Sequence, residues 1–237
     1  MKPVLLCLHG WGGSRESFDP LREELKGTDI EIITPDLPGF GTEPEPDRPW
    51  SVDDYADWVE SRMSKVEGRM LILGHSFGGR IAFKLAIRRN LKINHLFLCA
   101  SAGIKYPNRF HITIGLAIAK TGNFFLSLPI INKLKAPAKK ILYKALRVHD
   151  YEEASPMMKQ TMIKVTGEDF KPQLSQITLP TDIFWGEDDK ITPISDAHII
   201  NDLIKGSRLH TYPSVKHKVH KDKAKEIADI ITSKLNI

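Results

Sequence analysis

The chain of 237 residues is 41% hydrophobic and 27% charged, ordinary globular usage that excludes disorder and fits one domain with room for an inserted subdomain. Its two cysteines, Cys7 and Cys99, lie inside apolar runs, which excludes a disulfide framework or cysteine metal site and implies a reducing, cytoplasmic setting. The net charge of +5 is modest, but its location along the chain is informative.

Short apolar, β-branched runs alternate with helical patterns along most of the chain, the signature of parallel strands joined by helical crossovers. The first strand is expected over Val4–Leu8, an apolar run too short for the core of a signal peptide. It leads into His9-Gly10-Trp11-Gly12-Gly13 and then a helix over Arg15–Lys26. A second strand, Glu31–Pro35, is followed by Asp36-Leu37-Pro38-Gly39-Phe40-Gly41. The next helix, Val52–Val66, opens on Ser51 with Asp54 three residues later, which resembles a capping box. A third strand, Arg69–Gly74, runs into a helix over Phe77–Arg89, and a fourth is expected over Asn94–Ala100.

From Gly103 to Leu179 no strand is expected, only helical patterns punctuated by Gly122, Pro129, Pro137 and Pro156. A connection of that length needs structure of its own. Residues 104–178 are therefore read as a helical cap, with 1–103 and 179–237 forming the core. The apolar stretch Ile112 to Ile131 is interrupted by Lys120, Thr121, Gly122 and Asn123, so it falls short of the ~20 apolar residues a membrane span needs. The chain then resumes with strands over Pro180–Gly186 and Ser207–Tyr212 and helices over Ile194–Ile204 and Asp222–Leu235.

The chemistry concentrates at Gly74-His75-Ser76-Phe77-Gly78. A serine between glycines, after an apolar strand and at the start of a helix, has the setting of a nucleophile elbow. The glycines relieve crowding where the turn is tight, and the helix N-terminus favours developing negative charge. A serine hydroxyl needs a base within hydrogen-bond reach. The last strand-to-helix loop, Pro213 to Lys221, holds His217 and His220. An orienting acid is expected after the last-but-one strand, where Glu187, Asp188 and Asp189 follow Trp185-Gly186. The resulting order is Ser, then Asp, then His. His9 and His75 read as structural and packing residues, and His198 and His210 as isolated surface histidines. No metal-ligand constellation accompanies these groups, and no cofactor is expected.

Taken together, these motifs resemble the α/β-hydrolase fold-1 family over nearly the whole chain. The resemblance implies an α/β fold with the catalytic residues Ser76, Asp189 and His217. Asp189 is preferred to Asp188 because the family places its acid third after the Trp-Gly glycine with a proline four further on, here Pro193. His217 is preferred to His220 because it comes first in the family's His-x-x-His pattern before Asp222. The resemblance also implies an oxyanion hole from the backbone N–H groups of Trp11 and Phe77, each donor worth ~3–4 kcal/mol to a transition state. Family members usually carry two further strands before the His-Gly motif, but only eight residues precede His9, so a six-stranded, all-parallel sheet without those edge strands is expected. A serine nucleophile argues against the haloalkane dehalogenase and epoxide hydrolase branches. The end of the fourth strand, Cys99 to Gly103, carries no carboxylate that could serve as the acid.

The implied activity is hydrolysis of a small-molecule carboxylic ester or thioester through an acyl-enzyme, falling as pH drops through about 6.5, the reference value for histidine. The competing reading is a receptor of the same fold with little turnover. Nine basic residues (Lys105, Arg109, Lys120, Lys133, Lys135, Lys139, Lys140, Lys144 and Arg147) and no acidic ones lie between Ile104 and His149. That window suits an anionic carrier, a CoA thioester or a lipid surface, as in the family's pimeloyl-carrier methyl ester esterases. It is rich in aliphatics and matches no nucleic-acid module, so no nucleic-acid partner is expected.

Overall fold

The computed structural model describes residues 2–105 and 154–235. Six strands form one all-parallel sheet: β1 Val4–Leu8, β2 Glu31–Ile33, β3 Met70–His75, β4 Ile93–Cys99, β5 Thr181–Gly186 and β6 Arg208–Tyr212. Their spatial order is β2-β1-β3-β4-β5-β6. The expected sheet is thus present, strand for strand. Every residue of β1, β3 and β5 is buried, as expected where helices cover both faces of a parallel sheet. The two edge strands are only partly buried, and β2 stops at Ile33, two residues short of the expected end.

The helices fill the crossovers: α1 Asp19–Glu24, α2 Val52–Met63, α3 Phe77–Arg88, α4 Pro156–Gly167, α5 Ile194–Leu203, α6 Val219–Asp222 and α7 Ala224–Leu235. The single helix expected over Arg15–Lys26 is instead a 3-10 turn, Arg15–Phe18, followed by α1. Pro20 supplies the reason, since proline lacks an N–H and fits only the first turn of a helix. The final helix is likewise preceded by the separate turn α6, with the break at Lys223. The capping box on α2 forms as expected. Ser51 Oγ accepts from the Asp54 N–H at 3.3 Å, and Asp54 Oδ2 accepts from the Ser51 N–H at 2.7 Å.

Most of the expected cap, 106–153, lies outside the described residues, including eight of the nine basic residues and the aliphatic stretch from Ile112 to Ile131. The ninth, Lys105, donates from Nζ to the Gly167 carbonyl at 3.2 Å. No strand occurs in the described part of the insertion. Its helix α4 buries Met158, Thr161 and Val165 and is tied to the core by two cations of α3. Arg80 donates to the Val165 and Glu168 carbonyls at 2.9 and 2.8 Å, and Lys84 bonds Glu168 and Asp53. Burial lowers the Arg80 pKa to about 10.

The strand order reverses between β1 and β3. Chain growth goes from β1 outward to β2, then returns to β3 and continues to the opposite edge. Such a switch point leaves a crevice beyond the carboxyl ends of the strands. The loops after β1, β3, β5 and β6 all open at that end.

Candidate active site

Ser76 stands between the last residue of β3 and the first of α3, with φ 51° and ψ −110°. A non-glycine residue at positive φ is strained and persists only where its surroundings hold it. Here the Ser76 N–H donates to the Cys99 carbonyl at 3.1 Å, and the Ser76 carbonyl accepts from Gly79 and Ala102 at 3.0 Å each. Two residues on, Gly78 must be glycine: a Cβ there would lie 2.0 Å from the Leu8 carbonyl oxygen. The missing side chain lets the elbow press against β1. In consequence Ser76 and Trp11, far apart in sequence, line one cavity.

The acid loop is folded around its own carboxylate. Asp189 is 4% exposed, and its Oδ1 accepts from the Ile191 and Thr192 N–H groups at 2.8 and 3.1 Å. Its Oδ2 accepts from His217 Nδ1 at 2.7 Å. Burial acts to raise the Asp189 pKa, but the hydrogen bonds and charge from His217, with those from Thr192 and Ile191, outweigh it and hold the carboxyl below its ordinary value. A carboxylate anchored in this way fixes the imidazole with Nδ1 protonated, leaving Nε2 as the basic nitrogen. Nε2 has no hydrogen-bond partner among the described residues.

Asp188, the rival acid, is exposed. His220, the rival base, is 2% exposed and both its ring nitrogens lack hydrogen-bond partners among the described residues. The geometry therefore pairs Asp189 with His217. Ser76, Trp11, Phe77 and His217 all line a cavity of about 760 Å³ whose wall includes Ile104, Met162 and Val165. No hydrogen bond joins Ser76 to His217 among the described residues. Such contacts are often loose without substrate.

The backbone amides of Trp11 and Phe77 have no acceptor among the described residues, and Phe77 opens α3, where the first N–H groups have no partner within the helix. Their side chains meet edge-on with ring centroids 5.4 Å apart, and Phe40 packs against both at 4.9 and 6.3 Å. The two amides are thus carried on one aromatic cluster.

Sequence reasoning missed Thr192. Its Oγ1 lies 2.8 Å from Asp189 Oδ2, 3.1 Å from the Ala100 carbonyl and 3.2 Å from His217 Nδ1, so it braces the Asp–His pair against the end of β4. The one available signal was a hydroxyl residue just before Pro193. His9 is structural, as expected. The Leu37 N–H donates to its Nε2 at 3.0 Å, so Nδ1 carries the proton and donates to the Gly10 carbonyl at 2.8 Å. His75 is more than packing, since its Nε2 lies 3.1 Å from the His217 carbonyl oxygen. His210 is not isolated either: it bonds Asp182 Oδ1 at 2.7 Å, while His95 bonds Oδ2 at 2.8 Å. Among the described residues no three His, Cys, Asp or Glu side chains converge as metal ligands. None of the described helices is long and apolar enough to cross a membrane.

The model of the alpha/beta hydrolase family matches residues 5–230. The chain is 27% identical to a pimeloyl-[acyl-carrier protein] methyl ester esterase of Legionella pneumophila (strain Paris), across 90% of this chain and 83% of that protein. Among solved structures it resembles an esterase from Exiguobacterium antarcticum, with a TM-score of 0.75 and 20% identity over 100% of this chain and 92% of the other. It also resembles MenH from S. aureus, with a TM-score of 0.73 and 25% identity over 99% and 93%.

Proposed function

The chain belongs to the alpha/beta hydrolase family, and from that premise we propose that it hydrolyses a carboxylic ester or thioester with Ser76 as nucleophile, His217 as base and Asp189 as orienting acid. One observation carries the reading. His217 is held by Asp189 at 2.7 Å through Nδ1, with the strained Ser76 on the same cavity wall.

The chemistry then runs in two halves. His217 Nε2 takes the Ser76 proton as Oγ bonds to the substrate carbonyl carbon, and the negative charge moves to the carbonyl oxygen. The Trp11 and Phe77 amides stabilise that oxyanion, an effect of ~3–4 kcal/mol per donor in acyl transfer. The tetrahedral intermediate collapses, its alcohol or thiol leaving with the proton from His217. Water, deprotonated by the same nitrogen, attacks the acyl-enzyme and releases the acid and free Ser76. Asp189 stays ionised and balances the imidazolium formed in each half.

The apolar wall from Ile104, Met162 and Val165 suits an acyl group of intermediate length. The cap, 104–178, is proposed to complete that pocket. Two supports favour a carrier-linked substrate: the relative named as a pimeloyl-[acyl-carrier protein] methyl ester esterase and the basic window between Ile104 and His149. Charge reversal at Lys135, Lys139 and Lys140 tests that part. A lost rate on a carrier-linked ester with an unchanged rate on a free ester supports it, and equal rates on both remove it. A reducing, cytoplasmic setting fits the two free, buried cysteines.

Turnover of p-nitrophenyl esters from acetate to decanoate, by wild type and Ser76→Ala, tests the function as a whole. A chain-length optimum and a burst abolished in the variant are expected. Tight ligand binding with negligible release by the wild type at every length would favour a receptor instead.

A further inference from the structure

We propose that His75, the residue before Ser76, is a positioning residue that holds the base in register with the nucleophile by donating Nε2–H to the main-chain carbonyl of His217. The inference rests on the triad reading above and extends it to a residue outside the triad.

Three observations converge on this ring. The first is the contact itself, 3.1 Å between His75 Nε2 and the His217 carbonyl oxygen, between residues 142 apart in sequence. A carbonyl can only accept, so Nε2 must carry the hydrogen and the tautomer is set. The second is anchorage. His75 is the last residue of β3, paired with Cys99 of β4, and the next N–H donates to the Cys99 carbonyl. Its backbone is therefore part of the rigid sheet that also fixes Ser76. The third is what else the ring touches. A Cβ on Gly10 would fall 2.9 Å from His75 Nδ1, so Gly10, which leads to the Trp11 amide, is glycine partly to make room for this ring. His220 packs on it with centroids 3.7 Å apart and planes at 36°. One imidazole thus bears on the oxyanion loop, the elbow and the base loop.

The physical need is clear from how His217 is otherwise held. It lies in the loop between β6 and α6, and among the described residues its side chain is hydrogen-bonded only through Nδ1. With Nδ1 held, a shift of the loop main chain moves Cβ and tilts the ring about that bond, which moves Nε2 relative to Ser76 Oγ. Fixing the main chain of the same residue removes that freedom. Errors of about 1 Å in such a placement cost on the order of 10²-fold in rate. Burial, with His220 and His217 close by, holds His75 well below the usual histidine range. The ring therefore supplies its donor without bringing a second charge to the site.

The experiment compares His75→Phe, His75→Gln and Ser76→Ala on one p-nitrophenyl ester. Phe keeps a ring but has no donor, whereas a Gln side chain carries an N–H to nearly the place of Nε2. His75→Phe is expected to lower kcat on the order of 10²-fold with KM little changed, and His75→Gln to recover most of the loss. Wild-type kcat in His75→Phe, a Gln variant as impaired as the Phe variant, or a rise in KM that accounts for the whole effect would overturn the proposal. Should His75→Phe fail to fold, His75→Asn replaces it, because its shorter amide cannot reach the His217 carbonyl; activity equal to that of His75→Gln would overturn the idea. Ser76→Ala separates the two levels. Loss of turnover there with no effect at His75 sinks only this inference, whereas turnover retained without Ser76 sinks the triad reading along with it.

Discussion

Asp182, near the start of β5, and Asp189, just beyond its end, are both buried carboxylates bonded to histidine, yet their surroundings differ in kind. Asp182 has both oxygens filled, by His95 at 2.8 Å and His210 at 2.7 Å, and Lys234 of the last helix stands 3.9 Å away. Asp189 offers its second oxygen to backbone amides of its own loop and binds a single histidine. Exposure does not tell the two apart: the His210 side chain is 28% accessible and that of His217 15%. What distinguishes them is the free end of the imidazole. His217 keeps one nitrogen for a cavity that also holds a strained serine. The Asp182 cluster instead ties β4, β5, β6 and the C-terminal helix together at the far end of the sheet. An Asp–His pair is therefore not a site until its outer nitrogen has something to act on.

The sharpest way to break this comparison is to remove one charge from each pair. Asp189→Asn is expected to lower kcat on the order of 10⁴-fold, by presenting His217 in the wrong tautomer, with the melting temperature nearly kept. Asp182→Asn should do the reverse. It leaves the buried Lys234 without its counter-charge and takes a carboxylate oxygen from one of the two histidines, at a cost of about 3 kcal/mol or more, while kcat on a simple ester stays within a few-fold. Burial acts to raise the Asp182 pKa, but hydrogen bonds from His210 and His95, with the nearby Lys234, outweigh it and hold the carboxyl well below its ordinary value. Its contribution is thus present above the unfolded value near 3.9 and lost as pH falls through the lower folded value. Denaturant titrations of both variants, beside ester assays, decide the matter.

The histidines at the catalytic end predict a second, smaller effect on stability. Burial, with Lys221, His217 and Lys218 nearby, lowers the His220 pKa to about 3. Folding therefore favours its neutral form. The unfolded chain binds the extra proton between about 6.5 and the folded value, so stability falls as pH drops through that window, by up to ~1.4 kcal/mol per unit. His220→Phe removes both this proton linkage and two buried nitrogens that have no hydrogen-bond partner among the described residues. It is expected to be more stable than wild type at pH 5 by on the order of 2 kcal/mol, with a smaller difference at pH 8. A pH-independent difference would contradict the linkage. Smallest of all, Thr192→Val removes the hydroxyl that braces Asp189 and His217. It should lower kcat about tenfold, by analogy with the low end of the loss seen when a group that orients a metal-ligating histidine is removed, measured at saturating ester.

The contrast also explains what could be read from sequence. The six strands were legible because a sheet buried on both faces needs continuous apolar runs such as VLLCL and MLILGH. Their ends were less so where the rule weakens: β2 is an edge strand, and Pro20 splits what reads as one helix. Ser76 was legible because a tight strand-to-helix turn writes itself in glycines. His75, Thr192 and the Asp182 cluster were not, because each depends on loops or strands that meet only in three dimensions. His210 looks solitary in the chain, and its partner is 28 residues away on the neighbouring strand. The basic window remains a statement about sequence, because eight of its nine residues lie outside those described.

The central claim is that Ser76 is a nucleophile activated by the Asp189–His217 pair. Its most direct test is labelling with a fluorophosphonate, which bonds an activated serine and mimics the tetrahedral intermediate. Peptide mass mapping should find one adduct, on Ser76, formed rapidly by wild type, far more slowly by Asp189→Asn and not at all by Ser76→Ala. An adduct on any other residue, or equal labelling of wild type and Asp189→Asn, would contradict the account.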